Sequence, residues 1–157
     1  MLKVMTIVGT RPELIRLSRV IAKLDQYCQH TLVHTGQNFD YELNAVFFEE
    51  LDIRPPDVFL NAAGSSAIET IANVLLNIDP VLERLKPDAV LILGDTNSAL
   101  AAIAAKRRKI RFFTVKQGIV VLISAYPKKS IVKLWITLLI FICLIVILLE
   151  VIYYVKA

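Results

Sequence analysis

The stretch DAVLILGDTNSALAAIAAKRR, residues 88–108, decides the fold. Its first half is a continuous apolar run that ends in a glycine, which is typical of a parallel strand covered on both faces. Its second half carries alanine, leucine and isoleucine at helical spacing, with Thr96, Asn97 or Ser98 as candidate caps. A strand that passes into a helix through a few polar residues is one unit of an α/β fold.

The residues before this unit repeat the same pattern. Strands are predicted over LKVMTIV (2–8), HTLVHT (30–35) and DVFL (57–60). Helices are predicted over ELIRLSRVIAKL (13–24), over DYELNAVFFEEL (40–51) and over the residues that follow AAGSS (62–66). Pro12 suits a first helical turn, Asp40 is placed as a cap, and Pro80 favours a break or a kink. The βαβαβαβα succession predicts a doubly wound parallel sheet with right-handed crossovers.

Ligands of such folds collect at the carboxyl ends of the strands, so the loops there are the candidate sites. The first loop, GTRPE (9–13), lacks the Gly-x-Gly-x-x-Gly fingerprint, which argues against NAD or FAD as a cofactor. Arg11 lies at the predicted start of a helix, where a guanidinium beside free backbone N–H groups suits a phosphate. A surface salt bridge is an equally good interpretation of Arg11.

The other loops offer weaker signals. Asp95, at the tip of the fourth strand, fits a helix cap, a metal ligand or a general acid/base. No second acidic residue or histidine lies at ligand spacing from it, so no metal site is expected. Gln37 and Asn38 could bind a sugar hydroxyl or form a turn. The two histidines of the chain, His30 and His34, are expected to be structural.

The composition adds limits of its own. The chain has 157 residues, of which 56% are hydrophobic, and a mean hydropathy of +0.61, which is high for a soluble domain. The net charge of +4 includes a cluster of basic residues at 106–111. Because cations complement the dipole of a helix end, we do not expect nucleic-acid binding there. Cys28 and Cys143 give no disulfide framework, which fits a reducing cytosol.

Four segments in order strongly resemble the bacterial UDP-N-acetylglucosamine 2-epimerase family: VGTRPELIRLSRVI, HTGQNFDYELNAVFFEEL, AAGSSAIETI and KPDAVLILGDTNSALAAIAAKRRKI. The second segment is closest to members that make UDP-N-acetyl-L-fucosamine or related amino sugars for surface polysaccharide, such as O-antigen or capsule. The resemblance covers residues 2–110, about the first third of a family enzyme. It implies a cytoplasmic isomerase, often homodimeric, with two Rossmann-like domains in a GT-B-like arrangement and an active site between them.

The resemblance also implies a mechanism. UDP is eliminated across C1–C2 to give a glycal and is then added back with C2 inverted, without a redox cofactor. This chemistry needs an acid/base for the C2 proton and cations for the leaving diphosphate. By resemblance, Asp95 is a catalytic acid, and Arg11 and Arg16 contact the UDP-N-acetylamino sugar. The remaining residues assigned to substrate binding are Gln37, Asn38 and Thr96.

The tail departs from the family pattern. Where the family continues with Glu-Ala-Gly-Asn-Arg and two essential acids, this chain has RFFTVKQGIVVLISAYPKKSIVKLWIT (111–137). The codons GAA-GCA-GGG for Glu-Ala-Gly, read one nucleotide late, give the Lys-Gln-Gly found at 116–118, although Val115 does not fit such a shift. We therefore expect an incomplete N-terminal domain over 1–110 and a frameshifted tail over 111–157. Loss of later strands would expose a parallel edge, although IRFFTV (110–115) has the composition of a fifth strand.

A membrane anchor is the alternative interpretation of this tail. Residues 134–155 are almost entirely apolar and long enough to span a bilayer as a helix. Lys128, Lys129 and Lys133 precede the run and would keep that end cytoplasmic. Both interpretations predict that the chain alone has no epimerase activity, because the later acids and the second domain of the family pattern are missing.

Overall fold

The computed structural model describes residues 1–37, 48, 51–94, 96–116 and 119–124, with the backbone alone for 116 and 119–124. Its strands are β1 (Lys3–Val8), β2 (Gln29–His34), β3 (Val58–Phe59), β4 (Ala89–Leu93), β5 (Arg111–Lys116) and β6 (Ile119–Ser124). Its helices are α1 (Arg11–Tyr27), α2 (Ala67–Leu85), a 3₁₀ turn (Asn97–Leu100) and α3 (Ala101–Arg107).

The strands form one sheet in the order β3-β2-β1-β4-β5-β6. The pairs from β3 through β5 are all parallel, and β6 pairs with β5 in the antiparallel sense. The predicted doubly wound parallel sheet is therefore confirmed. Because the chain moves outward from β1 to β2 and β3 and then returns to the other side of β1, the order reverses between β1 and β4. The crevice at such a switch point is where α/β folds bind ligands.

Helices cover both faces of the sheet, and the side chains of β4 show why. Val90 and Ile92 pack into a core with α2 and α3. Leu91 and Leu93, which point to the other face, pack into a second core with α1. Each of these four side chains is at most 3% exposed, and burial of one such side chain contributes about 1.5–3 kcal/mol. This two-sided burial explains the continuous apolar run in the sequence.

A break or a kink was predicted at Pro80, and the break is wrong, because α2 runs through this residue without interruption. A proline inside a helix cannot donate a hydrogen bond to the carbonyl four residues earlier, which here belongs to Leu76. Leu76 is 69% exposed and therefore lies on the solvent side of α2.

Of the two expectations for the residues after β4, the fifth strand at 110–115 is confirmed and the exposed parallel edge at β4 is wrong. β5 lies parallel to β4, with Ala89 opposite Arg111 and Leu93 opposite Val115, and β6 then covers β5. Phe112 and Phe113 are buried on opposite faces of the sheet, as their high β-propensity favours. The antiparallel sixth strand was not predicted, because residues 111–157 were interpreted as a frameshifted tail.

Some expectations fall outside the described residues. These are most of the predicted second helix at 40–51 and the apolar run at 134–155. No helix in the part of the chain that the structure describes is long and apolar enough to cross a membrane. The domain boundary at residue 110 stays a prediction.

Candidate functional site

The loops after β1, β2 and β4 meet at the carboxyl edge of the sheet. Gly9, in the loop after β1, lies very close to the loop after β2. A Cβ at this position would overlap Thr35 Oγ1 and would lie 3.0 Å from Gln37 Nε2. The glycine is therefore needed for close packing of two loops. The third loop, around Thr96, joins the first through the side chain of Glu13.

Glu13 is the centre of this site, although sequence reasoning did not select it. Its side chain is completely buried, and its oxygens accept four hydrogen bonds. Gly9 N donates to Oε2 at 2.5 Å and Thr10 N at 2.9 Å. Ser98 Oγ donates to Oε1 at 2.5 Å, and Thr96 Oγ1 donates to the same oxygen. The two pairs of donors come from opposite sides of the switch point between β1 and β4.

A signal for Glu13 was present in the sequence. Thr10 and Glu13 have the spacing of a capping box, in which the third residue of a helix reaches back to the backbone N–H of the cap. Thr10 N donates to Glu13, whereas Thr10 Oγ1 is buried and makes no side-chain capping hydrogen bond. The contacts of Glu13 with Thr96 and Ser98, by contrast, join residues 83 and 85 positions apart in the chain. No local pattern could have indicated them.

The α1 N-terminus therefore differs from the expected phosphate site. The N–H groups of Gly9 and Thr10 donate to the carboxylate of Glu13, and Pro12 has no N–H to offer. A phosphate at this point would meet a backbone whose donors already serve a carboxylate. Arg11 is the first residue of α1 and is exposed, so its guanidinium is the group that can reach an anion.

Thr96 lies at this edge, but it does not cap an α-helix in the predicted way. It precedes the 3₁₀ turn Asn97–Leu100, and its side chain makes no capping hydrogen bond. The hydroxyl instead donates to Glu13, because the buried carboxylate is the stronger acceptor. Ser98, another of the candidate caps, is also buried, and its hydroxyl donates to the same oxygen.

The loop after β2 presents polar atoms without partners. Thr35 Oγ1 and Gln37 Oε1 are buried and have no hydrogen-bond partner in the described part of the chain. Buried polar atoms usually have partners, because an unmade hydrogen bond is costly. Together with Thr10 Oγ1 they form a buried cluster of neutral hydroxyl and amide groups next to Gly9. Such groups suit water as a hydrogen-bond partner.

His34 fixes the turn that carries Gln37. Its ring is fully buried and stacks on Phe59 with the centroids 4.9 Å apart. Phe48 meets the same ring edge-on at 6.0 Å. Gly36 N, in a left-handed backbone conformation with φ of +61°, donates to His34 Nδ1 at 3.1 Å. Burial lowers the pKa of His34 to about 4, so the ring is neutral and able to accept this bond.

The remaining predicted site residues are spread unevenly. Arg16 is exposed in the second turn of α1, about 140° around the helix from Arg11, so the two guanidinium groups do not share one face. Asn38 and Asp95 lie outside the described residues. The structure thus places Arg11, Gln37 and Thr96 at one edge, with Arg16 farther along α1.

A second polar cluster, away from this edge, resembles a catalytic triad in its contacts. Thr6 Oγ1 lies 2.8 Å from His30 Nε2, and Asp25 Oδ1 lies 2.6 Å from His30 Nδ1. Burial lowers the pKa of His30 despite Asp25 nearby. Thr6 is completely buried within β1, so its hydroxyl is closed to a substrate. Both histidines are therefore structural in their contacts, and no group of three or more metal-binding side chains occurs within the described ranges.

Comparisons with known proteins identify the family. The family model for UDP-N-acetylglucosamine 2-epimerase matches residues 22–119. A UDP-N-acetylglucosamine 2-epimerase homolog from Methanococcus maripaludis is 38% identical over 120 residues, which are 75% of this chain and 33% of that protein. The chain thus spans about a third of the length of the curated relatives it matches.

Solved structures give the same result. A UDP-N-acetylglucosamine 2-epimerase from Rickettsia bellii is 59% identical, with a TM-score of 0.68 over 75% of this chain and 32% of that one. The Methanocaldococcus jannaschii UDP-GlcNAc 2-epimerase in complex with UDP-GlcNAc and UDP is 35% identical, with a TM-score of 0.69 over 74% of this chain and 33% of that one. The family match and the shared fold agree, and the chain therefore belongs to the UDP-N-acetylglucosamine 2-epimerase family.

Proposed function

We propose that this chain binds a UDP-N-acetylamino sugar at the crevice between β1 and β4, as the N-terminal part of a C2-epimerising catalytic unit. The observation that carries the proposal is the joined pair of loops at the switch point, which presents Arg11 on one side and Thr96 on the other. The relative from Methanocaldococcus jannaschii, with the same fold, was crystallised with UDP-GlcNAc and UDP.

Each proposed role follows from the chemistry of the side chain. Arg11 and Arg16 neutralise the leaving diphosphate of UDP, because a guanidinium offers paired donors to phosphate oxygens. Asp95 moves the proton at C2, because a carboxylate can act as a general acid/base. Gln37, Asn38 and Thr96 bind hydroxyl or amide groups of the sugar. Elimination and re-addition of UDP leave the oxidation state of the product unchanged, so the proposed reaction requires no redox cofactor.

The finer features of the proposal rest on the sequence resemblance. The substrate is an amino sugar of the UDP-N-acetylglucosamine type on the route to UDP-N-acetyl-L-fucosamine or a related sugar. The enzyme acts in the cytoplasm as a homodimer. Its product is used to build surface polysaccharide, such as O-antigen or capsule. These 157 residues alone are expected to bind the nucleotide sugar weakly and not to turn it over, because the resemblance places two further acids beyond residue 110.

Binding and turnover are tested separately. UDP-N-acetylglucosamine is titrated into the ¹⁵N-labelled 157-residue chain, and amide shifts are followed by NMR. Shifts confined to residues near 9–11, 35–37 and 94–98 support the proposal. Arg11→Ala is expected to weaken binding about tenfold or more, since one charge-assisted contact contributes about 1.5–3 kcal/mol.

Arg19→Ala is the matched control, because Arg19 is an exposed arginine of the same helix, about 12 Å from Arg11 along the helix axis. Equal loss of affinity in both variants would mean that general charge, and not this site, binds the ligand. Turnover is followed by ¹H NMR of the C2 epimer. Formation of that epimer by the chain alone would contradict the expectation of inactivity.

A second candidate function is a membrane-tethered nucleotide-sugar binder without catalytic activity, favoured by the apolar run at 134–155. Its discriminating test is a fusion of residues 125–157 to a soluble reporter. Recovery of the reporter in the membrane fraction after a carbonate wash supports tethering, and recovery in the soluble fraction rejects it.

A DNA read of the locus tests the frameshift, which requires Glu-Ala-Gly-Asn-Arg in the adjacent frame.

A further inference from the structure

We propose that Glu13 is a positioning residue that holds the loop after β4 against the loop after β1, and so sets the separation of Arg11 and Thr96 across the crevice. Its four donors divide evenly between the loops, with Gly9 and Thr10 on the β1 side and Thr96 and Ser98 on the β4 side. These loops are otherwise far apart in the chain. A single carboxylate thereby joins the starts of α1 and of the 3₁₀ turn.

Burial distinguishes this role from ordinary helix capping. A completely buried carboxylate is costly unless several hydrogen bonds compensate the loss of water. A local cap does not require that burial, as α2 shows with the equivalent acid. Glu69 is the third residue of α2, as Glu13 is of α1, and its exposed side chain bonds residues at its own helix start, Ser65 and the backbone of Ser66. Glu13 therefore does more than cap its own helix, because half of its contacts lie on the β4 side.

Reciprocal coupling between the loops is the ligand-independent test. Amide hydrogen exchange is measured on the full chain and on the variants Glu13→Ala and Ser98→Ala. Ser98→Ala removes one donor on the β4 side and is mild enough to keep the fold. It is expected to raise exchange at Gly9 and Thr10, and Glu13→Ala is expected to raise exchange at 96–100, each by about 10- to 100-fold.

Two further variants separate positioning from capping. Glu69→Ala is the matched control and is expected to raise exchange only at the start of α2. Glu13→Gln is the conservative variant, because its amide oxygen can accept from Gly9 and Thr10 while its NH₂ group donates to the two hydroxyls. It is expected to restore most of the protection. If Ser98→Ala leaves Gly9 and Thr10 unchanged, or if Glu13→Ala affects α1 alone, Glu13 is a local cap and the proposal is overturned.

The affinity for UDP-N-acetylglucosamine is a measurement that a purely stabilising role of Glu13 would not change. This affinity test, unlike the exchange test, rests on the proposed function. The dissociation constant for UDP-N-acetylglucosamine is measured well below the unfolding temperature of each variant. Ser98→Ala is expected to weaken binding about 3- to 10-fold, and Glu69→Ala is expected to leave it unchanged. Unaltered affinity in Ser98→Ala would overturn the effect on the site. Absence of binding by the unmodified chain would overturn the proposed function, and exchange would still decide whether Glu13 joins the loops.

Discussion

Acidification is expected to destabilise the fold through His34. The ring is fully buried between two aromatic side chains, and burial lowers its pKa from 6.5 to about 4. Because this pKa is lower in the folded state, the unfolded chain binds more protons between these two values. The free energy of unfolding therefore decreases as the pH falls through this window. The contribution of His34 is fully present above pH 6.5, falls by about 2 kcal/mol at pH 5 and by about 3 kcal/mol at pH 4.

The hydrogen bond between His34 and Gly36 also predicts that the free energy of unfolding decreases on acidification. Nδ1 accepts the N–H of Gly36, and protonation would place a second donor against that N–H. Neutral His34 thus holds the turn before Gln37, and the charged form would release it. Loss of about 2 kcal/mol is a large share of the 5–15 kcal/mol that stabilises a typical domain.

Urea unfolding of the full chain between pH 7.5 and pH 5 measures this loss. His34→Asn is the control, since the Asn Oδ1 can replace Nδ1 as the acceptor but does not titrate. The variant is expected to be less stable at pH 7.5, because it loses the ring contacts, and to show a smaller pH dependence by about 2 kcal/mol. His30, whose pKa burial also lowers, contributes equally to both proteins. Parallel curves for the two proteins, or a folded-state NMR titration of His34 near pH 6.5, would refute the reasoning.

Three further changes have definite expected outcomes. Gly36→Ala is expected to cost at least about 1 kcal/mol, because φ is +61° and a Cβ would lie 2.5 Å from Phe59 Cε1; an unchanged urea midpoint would contradict this. Pro80→Ala is expected to raise the free energy of unfolding by about 1–3 kcal/mol by restoring a donor for Leu76 within α2, and equal or lower stability would show that Pro80 is well accommodated. Arg108→Ala breaks the ion pairs with Asp79 and Glu83, and the small loss of melting temperature should shrink in 1 M salt; a loss that salt does not affect would indicate packing instead.

The sheet was predictable because its signal is local and repeated. The run at 89–93 is apolar at every position. A short continuous apolar run between segments with the periodicity of amphipathic helices indicates a strand that is buried on both faces. The parallel pairing of the strands followed from the βα succession. Pro80 misled the prediction because packing of α2 into the core, which the local sequence does not show, accompanies a helix that stays continuous through the proline.

The candidate site was predictable in place but not in detail. Strand ends pointed to Arg11, Gln37 and Thr96, and the structure puts all three at the same edge. Glu13 was missed because the Thr-x-x-Glu spacing indicates a cap and nothing more. Half of its partners are more than 80 residues away, and such contacts appear only once the β1–β4 pairing is known.

The two capping acids also change how a diphosphate can bind here. In dinucleotide-binding folds the pyrophosphate rests on open backbone N–H groups at the start of the first helix. In this chain Glu13 accepts from the N–H groups of Gly9 and Thr10, and Glu69 occupies the start of α2 by accepting from Ser65. A second anion at either helix start would meet a carboxylate as well as the helix dipole. Under the proposed function, we therefore expect the diphosphate to depend on guanidinium groups such as that of Arg11, with an affinity that falls steeply with ionic strength. An affinity for UDP that is the same at 50 mM and 500 mM salt would show that backbone donors, and not Arg11, hold the diphosphate.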